Sequence, residues 1–326
     1  MALEDQFSRK HTYLRIAVTD RCNLRCVYCM PNEDAEWKRR DEILTLEEIL
    51  RIARLLVNNG VTKIRLTGGE PLVRSNLNWL VRELARLPGL DTLALTTNGT
   101  LLARHAAELC ANGLHRINIS LDTLRADRFE AITGRKNLDD VLAGIEAAQN
   151  VGFDNIMLNV VVMRGFNDNE AEDFVEFVRE RPMHVRFIEF MPFPGNAWTN
   201  TRMIPWREML QRLREKYDLL PLDNPSVGVA RSYAIEGLRG TISFISPMSD
   251  EFCSDCERLR LTADGAIKSC LLYPAEVSLR DAMRAGATDM ELLQVIDSAL
   301  QRKHFSHPPV EELLQIENRC MSAIGG

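Results

Sequence analysis

The chain has no apolar run of membrane-spanning length, and its first residues, Met1-Ala2-Leu3-Glu4-Asp5, lack the basic and apolar pattern of a secretion signal. It also has no excess of positive charge. The formal net charge of −6 argues against broad attraction to nucleic acid or membrane surfaces, so any anionic substrate needs a local basic pocket. There is no low-complexity linker, and no internal repeat beyond an alternation of strands and helices. These absences lead us to expect a cytoplasmic protein, in a compartment where thiols stay reduced. Its 326 residues suit one large domain, or a barrel with an appended domain.

A fourth metal ligand is missing twice. Cys22, Cys26 and Cys29 fall within eight residues, and no fourth cysteine or histidine stands nearby. Cys253, Cys256 and Cys270 form a second triad with the same deficit. Soft thiolates select iron–sulfur clusters, zinc or Cu(I). Structural zinc sites close with four ligands, and a four-iron cluster normally takes four cysteines. Three thiolates therefore leave one metal position open. On its own the second triad reads equally as a zinc-ribbon-like site. Cys110, in a helical pattern, and Cys320, near the C-terminus, read as small buried hydrophobes.

Along the chain, residues 13–19 form a strand with Leu14, Ile16 and Val18 on one face and Arg15, Ala17 and Thr19 on the other. A helix follows, with Thr45 and Glu48 as a capping box and Leu46, Ile49, Leu50 and Ala53 in its apolar stripe. Strands are expected at 63–67, 92–97, 116–122, 155–162 and 185–191, with helices around 77–87, up to 112, 138–150 and 170–181. Lys63, Arg65 and Thr67 share one strand face; so do Asn118, Ser120 and Asp122, and again Met157, Asn159 and Val161. Alternating strands and helices imply a parallel sheet. A flat doubly wound sheet buries both faces in apolar contacts, whereas these polar faces suit a barrel whose mouth hosts ligands at the strands' C-terminal ends. The expected fold is α/β, an incomplete (β/α)6 TIM-like barrel over residues 1–217. A C-terminal domain, 218–326, consists of short strands and loops through the second triad, then helices at 279–285 and 290–303.

The spacing Cys-x3-Cys-x2-Cys, with Tyr28 before the third cysteine, and Gly68-Gly69-Glu70-Pro71 at the end of the second strand resemble the radical S-adenosylmethionine superfamily. Thr19-Asp20-Arg21-Cys22-Asn23, Thr96-Thr97-Asn98-Gly99, Arg186-Phe187-Ile188-Glu189-Phe190-Met191, the stretch from Phe252 to Arg260 and the terminal Gly325-Gly326 look together like the GTP 3′,8-cyclase family, in order and over nearly the whole chain.

The resemblance implies a lyase that cyclises GTP in molybdenum cofactor biosynthesis. Cys22, Cys26 and Cys29 would hold one 4Fe-4S cluster with S-adenosylmethionine on its open iron, contacted by Tyr28, Gly69, Ser120 and Met191. Cys253, Cys256 and Cys270 would hold a second 4Fe-4S cluster against the substrate purine. Arg15, Lys63, Arg65, Thr96, Arg186, Arg258 and Arg260 would contact GTP, and the Gly-Gly tail would reach into the active site. Four of these cations lie on predicted parallel strands, where an unpaired charge is costly. The family usually carries lysine where this chain has Met157, which implies weaker GTP binding. Further implied are an external one-electron reductant, a homodimer, and a functional link to the cyclic pyranopterin monophosphate synthase that uses the product. Two rivals stay open: a radical S-adenosylmethionine enzyme of another branch with an auxiliary cluster, and a zinc-binding module without catalysis.

Overall fold

The computed structural model describes residues 3–30, 37–154, 156–222, 230–250, 252–274 and 277–325. Its first half repeats strand and helix: β1 (Tyr13–Ala17), α1 (Leu46–Val57), β2 (Lys63–Thr67), α2 (Leu77–Ala85), β3 (Thr92–Thr97), α3 (Leu102–Ala111), β4 (Arg116–Ser120), α4 (Ala126–Thr133), α5 (Leu138–Asn150), β5 (Ile156–Val162), α6 (Ala171–Phe177) and β6 (His184–Glu189). The expected capping box forms: the Thr45 hydroxyl accepts from the Glu48 amide at 3.1 Å, and the Glu48 carboxylate accepts from the Thr45 amide at 2.8 Å. α4 lies in a stretch that the sequence pattern leaves without an element. Asn155, expected to start the fifth strand, lies outside the described residues. The sixth strand begins one residue earlier than expected, where His184 pairs with Thr241, and ends at Glu189, whose buried carboxylate accepts from the amides of Trp206, Met248 and Ser249.

The second half continues through α7 (Trp206–Arg214), β7 (Leu219–Leu222), β8 (Arg231–Ile235), β9 (Thr241–Ile245), β10 (Arg258–Leu261), β11 (Ala266–Lys268), β12 (Val277–Ser278), α8 (Leu279–Arg284), α9 (Asp289–Leu300), α10 (Val310–Leu313) and α11 (Met321–Ile324). β1 to β6 pair in parallel, in sequence order. β10 then adds in parallel to the free edge of β1, and β9 to the free edge of β6. The sheet order is β12-β11-β10-β1-β2-β3-β4-β5-β6-β9-β8-β7. This is a partial barrel: six β/α units widened at each edge by a strand from the C-terminal half.

Alternation decides what each strand face does. Leu14, Ile16, Ile64, Leu66, Leu93, Leu95, Ile117, Ile119, Leu158 and Val160 point outward and are buried under the helices. Each such side chain contributes about 1.5–3 kcal/mol of hydrophobic stabilisation. The opposite face carries Arg15, Arg65, Asn118 and Asn159, which gain nothing comparable from burial. Helix packing thus stabilises the fold while the inner face is left for another purpose.

Candidate active site

The first triad follows directly from β1. Its loop is fixed by the turn after β2: the Gly69 amide donates to the Thr19 carbonyl at 2.9 Å, and the Glu70 amide to the Arg21 carbonyl at 2.8 Å. A Cβ on Gly69 would stand 2.3 Å from the Arg21 carbonyl oxygen, so only glycine lets these two backbones meet. The resemblance implies a ligand contact for Gly69; backbone packing requires glycine there in any case. The Glu70 carboxylate, fully buried, accepts from the Thr97 hydroxyl and the Asn98 amide, both at 2.7 Å, tying this turn to the end of β3. Burial pushes its pKa up to about 7. Asn98 in turn donates to Asn23 at 2.8 Å, with its amide nitrogen 3.8 Å from the Cys22 sulfur. The loop's far side rests on α4: Arg25 and Val27 donate their amides to the Thr133 and Ile132 carbonyls. The amides of Cys29 and Met30 both donate to the Cys26 carbonyl, which places the last two cysteines on one turn.

Burial pushes the Cys22 thiol up to about 11, and Cys26 and Cys29 higher still. Such thiols ionise only beside a strong positive charge, which metal coordination supplies. Tyr28 donates to Asp122 at 2.6 Å, and the other Asp122 oxygen accepts from the Val161 amide at 2.8 Å; burial raises the Asp122 pKa to about 6.

The second triad sits at the other end of the sheet. Cys253 and Cys256 precede β10, which runs parallel to β1, so they lie at the strands' N-terminal ends while Cys22 follows the C-terminal end. Burial opposes ionisation of Cys256, but Lys303 and Arg258 outweigh it and hold the thiol below its ordinary pKa. The Lys303 ammonium lies 3.6 Å from the Cys256 sulfur and donates to its carbonyl at 3.1 Å. Arg9 donates to the Cys253 carbonyl at 2.6 Å. Neither cation is signalled by sequence spacing. No three His, Cys, Asp or Glu side chains among the described residues converge as one metal ion requires.

Both triads line one cavity of about 330 Å³. Tyr28, Gly69, Ser120 and Met191 line it, as do Arg15, Lys63, Arg65, Thr96, Met157, Arg186, Arg258 and Arg260. Every site residue expected from the sequence is thus gathered here. Arg116 joins them; it lies one step back along the face of Asn118 and Ser120, so the alternation itself contained that signal. Among the described residues Asp122 is the one carboxylate in the lining, against seven lysines and arginines.

The cations are stacked by register. Arg260, Arg15 and Arg65 are direct neighbours across β10, β1 and β2, and Arg258, Tyr13 and Lys63 form the row beside them. Adjacent strands lie about 4.8 Å apart, so the repulsion within each row is large. Burial, then Arg260, lowers the Arg15 pKa well below its ordinary value; burial lowers Arg186 and Arg260 to about 10, helped by Arg65 and Arg258 respectively. Buried polar atoms of Asn118, Asn159, Arg65 and Arg186 in this lining have no hydrogen-bond partner. That pattern marks a site built for a polar, anionic occupant. The tail also arrives here: Arg260 donates to the Gly325 carbonyl at 2.9 Å, and a Cβ on Gly325 would strike the Thr67 hydroxyl at 2.2 Å. Gly326 lies outside the described residues.

Residues 16–178 match the radical SAM superfamily model, and residues 183–309 match that described as Molybdenum Cofactor Synthesis C. SuiB from Streptococcus suis shares the fold, with a TM-score of 0.63 at 14% identity over 92% of this chain and 68% of its own. The partial barrel, with its first triad at the end of β1, is that of a radical S-adenosylmethionine protein, a class that binds S-adenosylmethionine and an iron–sulfur cluster. GTP 3′,8-cyclase of Moorella thermoacetica is 47% identical over 99% of this chain and 100% of its own length. The mitochondrial GTP 3′,8-cyclase of Arabidopsis thaliana is 46% identical, over 99% and 83%. Molybdenum cofactor biosynthesis protein 1 of Bos taurus is 48% identical, over 99% and 51%, so the chain spans about half the length of that relative and of others like it. The chain belongs to the GTP 3′,8-cyclase family. No helix among the described residues is long and apolar enough to cross a membrane.

Gly69→Ala is expected to displace the backbone that leads to Cys22. Iron at the first triad and formation of 5′-deoxyadenosine should fall together, while the helical circular dichroism stays close to that of the parent.

Proposed function

We propose that the chain cyclises GTP to (8S)-3′,8-cyclo-7,8-dihydroguanosine 5′-triphosphate in molybdenum cofactor biosynthesis. The observation that carries this reading is the single basic cavity with a three-thiolate set at each end. Cys22, Cys26 and Cys29 suit a 4Fe-4S cluster with an open iron, and Cys253, Cys256 and Cys270 a second one. A cluster held by Cys22, Cys26 and Cys29 would supply the electron for cleavage of S-adenosylmethionine to methionine and a 5′-deoxyadenosyl radical. Tyr28, Gly69, Ser120 and Met191 border the space where that cofactor fits. Arg15, Lys63, Arg65, Thr96, Arg186, Arg258 and Arg260 hold the triphosphate, with the purine toward the second triad. The ribose then lies between the two ends, with its 3′ hydrogen toward the first and C3′ near guanine C8. Leu24, Val161 and Ile188 in the lining keep this space apolar where a radical must be protected. Positioning is the main contribution of the protein.

Residues 1–217 supply the first triad and most of the anion contacts; residues 218–326 supply the second triad and the tail. We propose further that the protein acts in the cytoplasm as a homodimer, takes electrons from an external one-electron reductant, and passes its product to a cyclic pyranopterin monophosphate synthase. The deciding experiment is anaerobic incubation of the iron-loaded protein with S-adenosylmethionine, reductant and GTP. Both 5′-deoxyadenosine and the cyclised nucleotide are expected, with about eight irons per chain; absence of both products removes the assignment.

Met157 lines the cavity with its sulfur 3.2 Å from an Arg186 nitrogen. Met157→Lys places a further cation beside the phosphates, and one added charge-assisted hydrogen bond is worth roughly tenfold in affinity. GTP titration of parent and variant checks this; equal affinities would contradict the role given to the position.

A further inference from the structure

Tyr13 lies among the cations of the cavity and is only 6% exposed. Its ring centroid is 4.6 Å from the Lys63 nitrogen and 5.8 Å from the Arg65 guanidinium carbon. Arg258 and Lys63 flank it across β10 and β2, and Arg15 stands two residues on along the same face of β1. Arg260, Arg116 from β4 and Arg186 from β6 complete the cationic lining. Of the acidic groups, Asp122 holds Tyr28 and the Val161 amide, while the Glu257 carboxylate accepts from the Thr12 hydroxyl at 2.5 Å and also faces Lys63. The Cys256 and Cys270 thiols face Arg260 from the second triad, and the cations nearest the phenol itself are Lys63, Arg65, Arg15 and Arg258.

We propose that Tyr13 is the built-in counter-ion of this basic cavity, ionised while the cavity holds no polyanion and protonated when one binds. The inference rests on reading the cavity as a polyanion site. Burial on its own would raise the Tyr13 pKa, but Arg65, Arg15, Arg258 and Lys63 outweigh it and bring it down to about 7. A bound polyphosphate neutralises those same cations and repels a phenolate, so its arrival pushes the pKa back toward that of free tyrosine, about 10. The step is one proton transfer: the buffer acid loses a proton and the phenolate oxygen gains an O–H bond. Between the two pKa values the bound state carries more protons than the free state. Affinity for the polyanion therefore falls as pH rises above 7, by up to about tenfold per unit.

The test uses the iron-loaded protein under anaerobic conditions with inorganic tripolyphosphate as probe. Calorimetry at pH 8 in two buffers of different ionisation enthalpy counts protons exchanged on binding. The parent should take up nearly one proton more than Tyr13→Phe, and its affinity should fall with pH more steeply. In parent protein carrying ring-labelled tyrosine, one of the five tyrosine carbon signals should titrate near pH 7 and move to the neutral position when tripolyphosphate is added. Equal proton counts in parent and variant, with binding retained, would overturn the role of Tyr13. So would five tyrosine signals that stay neutral at pH 8. Failure of tripolyphosphate to bind the parent would overturn the reading of the cavity itself.

Discussion

Cys256→Ala is expected to abolish the cyclised nucleotide while 5′-deoxyadenosine continues to form. The two triads share a cavity, but they lie at opposite ends of the parallel strands and are held by different segments. The loop of Cys22, Cys26 and Cys29 is fixed by Gly69, Asn98 and α4, whereas Lys303 holds Cys256. On the proposed function, radical generation then survives, but the purine loses its anchor and the ribose hydrogen is no longer placed against the radical. Lost positioning of this kind costs roughly 10³-fold or more in product formation. Iron content should fall by about four per chain. The converse change, Cys26→Ala, should remove both products. Chromatography of the anaerobic reaction, with iron analysis, separates the cases. Loss of 5′-deoxyadenosine in Cys256→Ala with the first triad's iron retained would contradict the division of labour.

Arg186→Met is expected to weaken GTP binding and stabilise the nucleotide-free protein. The Arg186 guanidinium is buried near Arg65 and donates to the Met157 sulfur at 3.2 Å, and burial, then Arg65, pushes its pKa down to about 10. At every pH below that value the charged side chain is held at a cost, which a methionine of similar length avoids. With GTP bound as proposed, the balance is expected to reverse, because the guanidinium then meets phosphate. Loss of one such bond corresponds to about 1.5–3 kcal/mol, or roughly ten- to a hundredfold in KM for GTP. Steady-state kinetics should show the rise in KM, and thermal unfolding without nucleotide should show a higher midpoint. A lower midpoint would mean that Arg186 stabilises the fold rather than the complex.

Much of this site was legible because its signals are local. The capping box at Thr45 and Glu48 forms as its spacing implies. Two-residue alternation placed Arg15, Lys63, Arg65, Ser120 and Met157 on inward faces, where the cavity now has them. The same rule reaches Arg116. α4 was not legible: its apolar positions, Phe129 and Ile132, are too few to mark a helical stripe, and tertiary packing under the cysteine loop secures it. Lys303 could not be found from spacing, since 47 residues separate it from Cys256. Gly69 was legible as glycine, but the backbone contact that requires it depends on a loop from another strand.

The sequence by itself determined the two thiolate triads, the β/α alternation and the inward direction of the cations. Those follow from residue type and from periods of two and 3.6, which need no knowledge of distant neighbours. Only the tertiary structure decided that β10 lies beside β1 and β9 beside β6. Those pairings carry Cys253 and Cys256 to the end of the barrel opposite Cys22 and align Arg260 with Arg15 and Arg65. A short edge strand carries no address for its partner; long-range packing chooses it, and that choice turned two separate metal motifs into one cavity.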